Sequence, residues 1–431
     1  MNIKEIIVTN HIIRVVGIID ELDSKAQKKY INKLKASGYK IDNGLLVVDN
    51  VQVVNNFYKD NYYPNFRNIM FFDDSNNGNY RLISDDVKSL SLLYRQQTPI
   101  GFNILKSEIY CFSSHVGLFS LSIKLTSSDV RLEELSNFLS IVRNFDANTD
   151  SGQTWHQWIS KNILCDLPLR GDKVKSDEYS GSKFKMFNVF DINIPDDVSR
   201  QYVLFDLATA SPLGSASGET LYTPDKLYYE ALIKNRIAAF KNWEGLPLMD
   251  SLTYVGKGIL QYQDSWDITY FRIYLYRLFF KYNLYKYNSA IDGVEYDAIT
   301  LRDEFEEFLN RYDFSYISYN FLPNLMYKNI GEALDLDDEM LKFRDKISNL
   351  SIKIEEERQS KTNLLLQIVT VLGGISSLGP VLDFLFMIQS WLGLTRASFY
   401  TYLAVIVIII GISVLYYLNP KKFKLFFNKC K

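Results

Sequence analysis

Apolar positions fall into two regimes along this chain, and the change between them divides it. Over the first 210 residues they occur in short alternating or continuous runs: "IKEIIVT" (3–9), "GLLVVDNVQVV" (44–54), "NIMFFD" (68–73), "SEIYCFSS" (107–114), "GLFSLSIKL" (117–125), "KMFNVFDINI" (185–194) and "YVLFDLA" (202–208). Asn, Asp, Gly and Ser clusters separate them, which is the pattern of β-strands bounded by turns. Between them, residues 128–145 place Leu132, Leu135, Phe138, Leu139 and Val142 on one helical face behind Ser128 as an N-cap. The spacing predicts a mixed α/β domain over 1–210, with this helix laid on a sheet.

The stretch 208–226 is small and turn-rich and marks a boundary. Thr223 followed by Pro224 reads as a helix start, and the period from there onward is helical. Residues 211–333 form a helical region with a long aromatic helix at 267–288 and an acidic one at 300–314. A further helix starts near Leu334, where Leu336, Met340, Phe343, Ile347, Leu350 and Ile354 alternate in steps of four and three. Such a heptad seam is buried against other helices, so 334–362 reads as a stalk.

The seam resumes at Leu364, Ile368, Val371, Ile375, Leu378, Leu382 and Leu385, now without charge from Thr362 to Leu382. Residues 363–387 have the length of a membrane span, and 399–418, within the uncharged aromatic-flanked stretch Ala397–Pro420, read as a second. Lysines 421, 422, 424, 429 and 431 form a basic tail, while the connecting segment carries only Arg396. The positive-inside rule then gives a hairpin with both termini cytoplasmic. The fold class expected from the sequence is therefore an α+β membrane protein: a cytosolic mixed α/β domain, a helical region with a long stalk helix, a two-span module over 363–420 and a tail at 421–431.

Composition narrows the function. With 48 Lys and Arg against 50 Asp and Glu the formal net charge is −2, so no general attraction to nucleic acid is expected. Three scattered cysteines form no CxxC pair and suggest neither a disulfide framework nor a zinc site. No phosphate-binding glycine loop, HExxH or GxSxG motif occurs, so an enzyme is not expected. The chemistry lies in a polar stripe one position ahead of the seam: Asn363, Gln367, Thr370, Gly374 and Ser377. Two readings stay open, a hydrated pore lined by identical helices or close packing through small and polar residues. Asp383 stands at the outer end, either as a carboxylate ring for cations or as a partner of Arg396. In the sheet domain, Arg143 and Asn144 with Trp155 and Trp158 are candidates for holding a nucleotide through stacking and phosphate contact.

This order of regions resembles the CorA-like divalent cation channel superfamily. That family's Gly-Met-Asn motif at the outer mouth is absent; Gly393, Leu394 and Thr395 stand nearest to it and keep only the glycine. Divergent members without the motif include membrane effectors that accompany type III CRISPR anti-phage systems. The resemblance implies a homo-oligomer, a pentamer by the family pattern, in a bacterial cytoplasmic membrane and in contact with lipid. It also implies gating by a nucleotide second messenger, with a divalent cation as a further ligand and no tightly bound cofactor. A constitutive magnesium transporter and a non-conducting tethered scaffold are the alternatives.

Overall fold

The structure is a computed structural model that describes residues 3–19, 22–42, 59–70, 79–93, 99–127, 129–167, 183–196, 198–292, 298–393 and 404. It divides into two compact units, 1–351 and 352–431.

The first unit is built on an 11-stranded mixed sheet. Its elements run β1 (Val8–Ile19), α1 (Ser24–Ala36), β2 (Lys40–Ile41), α2 (Pro64–Met70), β3 (Tyr80–Ser84), β4 (Lys88–Leu93), β5 (Ile100–Cys111), β6 (Gly117–Leu125), α3 (Leu132–Val142), β7 (Asn148–Thr149), α4 (Trp155–Asn162) and β8 (Lys185–Ile192). They continue through α5 (Arg200–Thr209), α6 (Lys226–Ile233), β9 (Ile237–Phe240), β10 (Trp243–Pro247), β11 (Ser251–Gly256), α7 (Phe271–Asp292), α8 (Ala298–Tyr312), α9 (Phe321–Ala333) and α10 (Leu336–Leu392). The strand order is β2-β3-β5-β6-β1-β8-β11-β10-β9, with β4 paired to β5 and β7. All named strand pairs are antiparallel except β8 with β11, whose parallel register sets Ser251 beside Met186.

Central strand β1 is buried along almost its whole length because both faces of the sheet are covered. One face packs Ile13, Val15, Phe102, Ile109 and Val255 against Tyr30, Leu34, Phe138, Leu139, Trp155 and Leu204 from α1, α3, α4 and α5. The other receives α7, with Phe187 in edge contact with Phe271 at 5.4 Å. Residues 273–276 and 278–280 of α7 are buried on every side, since α8 and α9 pack on the helix as well. A helix that is apolar and aromatic all round belongs in such an interior.

Across the α7 face lies a buried ion network. Arg14 on β1 pairs with Glu108 on β5 and, at 2.6 Å, with Asp267; Arg81 on β3 pairs with Glu108 and, at 2.6 Å, with Asp42. The Arg14 guanidinium also lies 4.4 Å from the centre of the Phe271 ring. Burial alone would raise the Glu108 carboxyl, but Arg14 and Arg81 hold it well below the usual carboxylate range.

Several sequence expectations are corrected. Among the described residues no helix is long and apolar enough to cross a membrane. This overturns the C-terminal two-span hairpin, and with it the placement in a bacterial cytoplasmic membrane with both termini cytoplasmic. The first expected span, 363–387, is part of α10, where Asn363, Gln367, Thr370, Gly373, Gly374 and Ser376 interrupt the apolar run. The second, 399–418, and the tail 421–431 lie, apart from Ala404, outside the described residues. The region 211–333 is not wholly helical, for it supplies β9, β10 and β11. Conversely, the strand expected at 202–208 is helix α5, started at Ser199 and stopped by Ala210 in the left-handed region at φ 50°. A continuous apolar run does not distinguish a buried strand from a buried helix, and this one is clamped against β10 and β11. The stretch 68–73 belongs through Met70 to α2, and the rest of it, like 44–54, lies outside the described residues. Helix α3 starts after Arg131; Ser128 lies outside the described residues. Helix α6 is capped by Asp225, whose carboxylate accepts from the Leu227 N–H at 2.8 Å, in place of Thr223.

The stalk seam finds its partners within the chain. Leu336, Phe343 and Ile347 are each 1% exposed, with Phe343 against Phe305 of α8 at 4.4 Å and Tyr287 of α7 at 6.1 Å. The α10 helix is a single element that includes Pro380.

Candidate functional site

The amino ends of β8 and β11 lie side by side, and three stitches fix what surrounds them. The Met186 N–H donates to the Asp250 carbonyl at 3.0 Å, tying β8 to the turn that enters β11. The Phe184 N–H donates to the Arg143 carbonyl at 2.8 Å, and Asn144 forms a β-bridge with Lys183, so the end of α3 is joined to the start of β8. Ser251 Oγ donates to the Ala208 carbonyl at 2.6 Å, and Arg143 Nη1 to the Thr209 carbonyl at 2.8 Å, holding the end of α5 between them.

These stitched ends wall a cleft of about 400 Å³. Arg143, Lys183 and Asp250 supply its charge, Tyr228 and Asn235 its polar and aromatic contacts, and Leu232, Leu248 and Met249 its apolar lining. Ala333, the last residue of α9, also lines it. The Asp250 carboxylate is engaged by the Lys185 ammonium, which leaves the combined charge of Arg143, Lys183, Lys185 and Asp250 positive. Arg143 serves a second purpose, since a cation at the carbonyl end of α5 suits the helix dipole. Tyr228 is 55% exposed, with its ring in edge contact with Phe205 at 6.4 Å, and an accessible aromatic ring can stack on a planar ligand. A positively charged cleft of this size, with an open aromatic ring and an amide, suits an anion carrying a flat apolar part.

Of the residues singled out from sequence, Arg143 lines the cleft, and Asn144 supports it through its backbone while its side chain bonds to the Ser140 carbonyl. Trp155 and Trp158 are elsewhere. Trp155 is 0% exposed, donates its indole N–H to the Val142 carbonyl at 3.0 Å and packs against Trp158 at 5.5 Å, so it is a core anchor. Asn363, Gln367, Thr370, Gly374 and Ser377 fall in the second unit on α10, where the first four are exposed and Thr370 Oγ1 donates to the Leu366 carbonyl at 2.7 Å. Asp383 is exposed, Gly393 follows the helix at φ 64°, and Thr395 lies outside the described residues. Among the described residues no group of three or more His, Cys, Asp or Glu is placed to hold a metal ion.

Lys183, Tyr228, Asn235 and Asp250 were not singled out from sequence, because they come from four separate segments. The one local signal is the pair of lysines, 183 and 185, opening an apolar strand. No family model, curated protein or solved structure matches the chain.

Proposed function

We propose that this chain is a ligand-controlled regulatory protein: the sheet domain binds an anionic small molecule of the nucleotide class, and α10 carries the output. The observation that supports this reading most is the cleft itself, with Arg143 and Lys183 for a phosphate, Tyr228 for a base and Ala333 in its wall. Ala333 is followed after one residue by Asp335, which takes the left-handed conformation at φ 56° between α9 and α10. Ligand contact is thus made next to the hinge that leads into the long helix. A ligand that binds two arrangements of that hinge unequally shifts the population between them.

Self-association of α10 is the proposed form of the output. Leu364 and Ile368 of the four-three seam are 58% and 47% exposed, and Leu365, Leu366, Val369 and Leu372 beside them are between 59% and 63% exposed; such a seam is that of helices that pair with one another.

Calorimetric titration of the full chain with inorganic phosphate, AMP, ATP and a cyclic dinucleotide tests the binding step. Binding of at least one nucleotide, weakened about tenfold or more by Lys183→Glu, is expected, a loss of roughly 1.4 kcal/mol. Absence of binding at millimolar ligand, or indifference to Lys183→Glu, would rule the reading out. Sedimentation with and without the bound nucleotide tests the output, which requires a ligand-dependent change in assembly state.

A further inference from the structure

The junction between α9 and α10 is held by one buried cation. Lys281 of α7 is 3% exposed, and its ammonium donates to the Leu334 carbonyl and to Glu339 Oε1, both at 2.6 Å. It therefore grips the hinge from both sides of Asp335: the last carbonyl before it and the first turn of α10 after it. Lys281 also lies 4.9 Å from the centre of the Tyr285 ring.

The acid side of this grip is only half satisfied. Glu339 Oε2 is buried and finds no hydrogen-bond donor among the described residues. A polar group left short of partners in a low-dielectric interior is costly, so the Glu339 carboxylate gains from an arrangement that brings it a further donor. The cleft reaches this cluster through its wall. Ala333 in the same wall is covalently next to Leu334, the carbonyl that Lys281 holds.

We infer that Lys281 is the relay residue that couples anion occupancy of the cleft to the α9–α10 hinge, by exchanging its grip on Leu334 and Glu339. This inference rests on the ligand-binding reading given above. An anion seated in the cleft bears on Ala333 and shifts the adjoining Leu334 carbonyl, so Lys281 loses one of the two acceptors that fix it. The hinge is loosened as the ligand binds. Lys281 touches neither ligand nor solvent in this scheme; it positions the first turn of α10.

The experiment is amide hydrogen exchange on the full chain with and without saturating AMP, alongside calorimetry with AMP on the same samples. In the wild-type protein, amides of residues 337–345 are expected to exchange about tenfold faster when AMP is bound. In Lys281→Met, AMP still binds within about threefold of wild type, but the exchange of 337–345 no longer responds to it. Glu339→Gln keeps the shape of the acceptor and removes its charge, so it decides the matter should Lys281→Met fail to fold; its response to AMP is expected to fall several-fold. AMP binding to the wild type with no change at 337–345, or an undiminished response in both folded variants, overturns the relay and leaves the cleft reading standing. Failure of AMP to bind the wild type overturns the relay for this ligand class, and the other nucleotides in the titration decide the cleft reading.

Discussion

Single buried charges set how this sheet domain responds to acid. Glu108 sits between two guanidiniums at 1% exposure. Because its carboxyl is held below its ordinary range, its contribution to stability is present at neutral pH and is lost only as pH falls through that depressed value. Glu108→Gln leaves Arg14 and Arg81 facing a neutral group, and the expected cost is roughly 3–5 kcal/mol, read from urea unfolding at pH 7. His11 acts in a higher window. Burial, with Lys124 nearby, lowers its imidazole from 6.5 to about 4, and its Nε2 accepts from the Leu125 N–H at 3.4 Å. The unfolded chain binds the proton first, so stability is full above pH 6.5 and is lost as pH falls toward 4, by about 3 kcal/mol in all. Unfolding of His11→Gln followed between pH 7 and pH 4 should show a shallower decline than wild type.

Helices α7, α9 and α10 depend on contacts that tolerate little extra volume and little loss. A Cβ on Gly331 of α9 would stand 2.7 Å from Arg277 Nη2. That guanidinium cannot easily retreat, since Nε donates to the Tyr327 carbonyl at 2.9 Å and the group lies 3.4 Å from the centre of the Tyr327 ring. Gly331→Ala is therefore expected to destabilise the protein by about 1–3 kcal/mol, which thermal melting would report. Phe343 makes the opposite test in α10. Its ring fills the space between Phe305 and Tyr287, so Phe343→Ala should cost roughly 3–5 kcal/mol. The same truncation at Leu366, 59% exposed, should leave the melting temperature of the sheet domain unchanged.

At the scale of the whole molecule, the division after Ser351 predicts that the first unit stands alone. A chain ending at residue 351 keeps the sheet, the cleft and the packed first turns of α10, with Phe343 and Ile347 still buried. It should give a cooperative melt and bind nucleotide with the affinity of the full chain, while losing any ligand-dependent change in assembly. Circular dichroism, calorimetry and sedimentation on the shortened chain check the three parts separately.

Periodicity alone determined much of this. The alternation in 117–125 and 185–194 gave β6 and β8, the 3.6-residue spacing of Leu132, Leu135, Phe138, Leu139 and Val142 gave α3 against the sheet, and the seam from Leu336 gave the start of α10. These signals are local, because side-chain direction repeats every two or 3.6 residues and a buried face must follow that period. Arg143 was legible as a cation at a helix end. What covers an apolar surface is not a local property, and there the reading failed. The seam at Phe343 is covered by α7 and α8 of the same chain, residues 202–208 are helical because β10 and β11 close over them, and 237–256 enter the sheet beside β8. The cleft is of the same kind. Lys183, Tyr228, Asn235, Asp250 and Ala333 meet only because a parallel strand pair brings distant segments to one end, and tertiary structure alone decides that, through which faces it pays least free energy to leave in water.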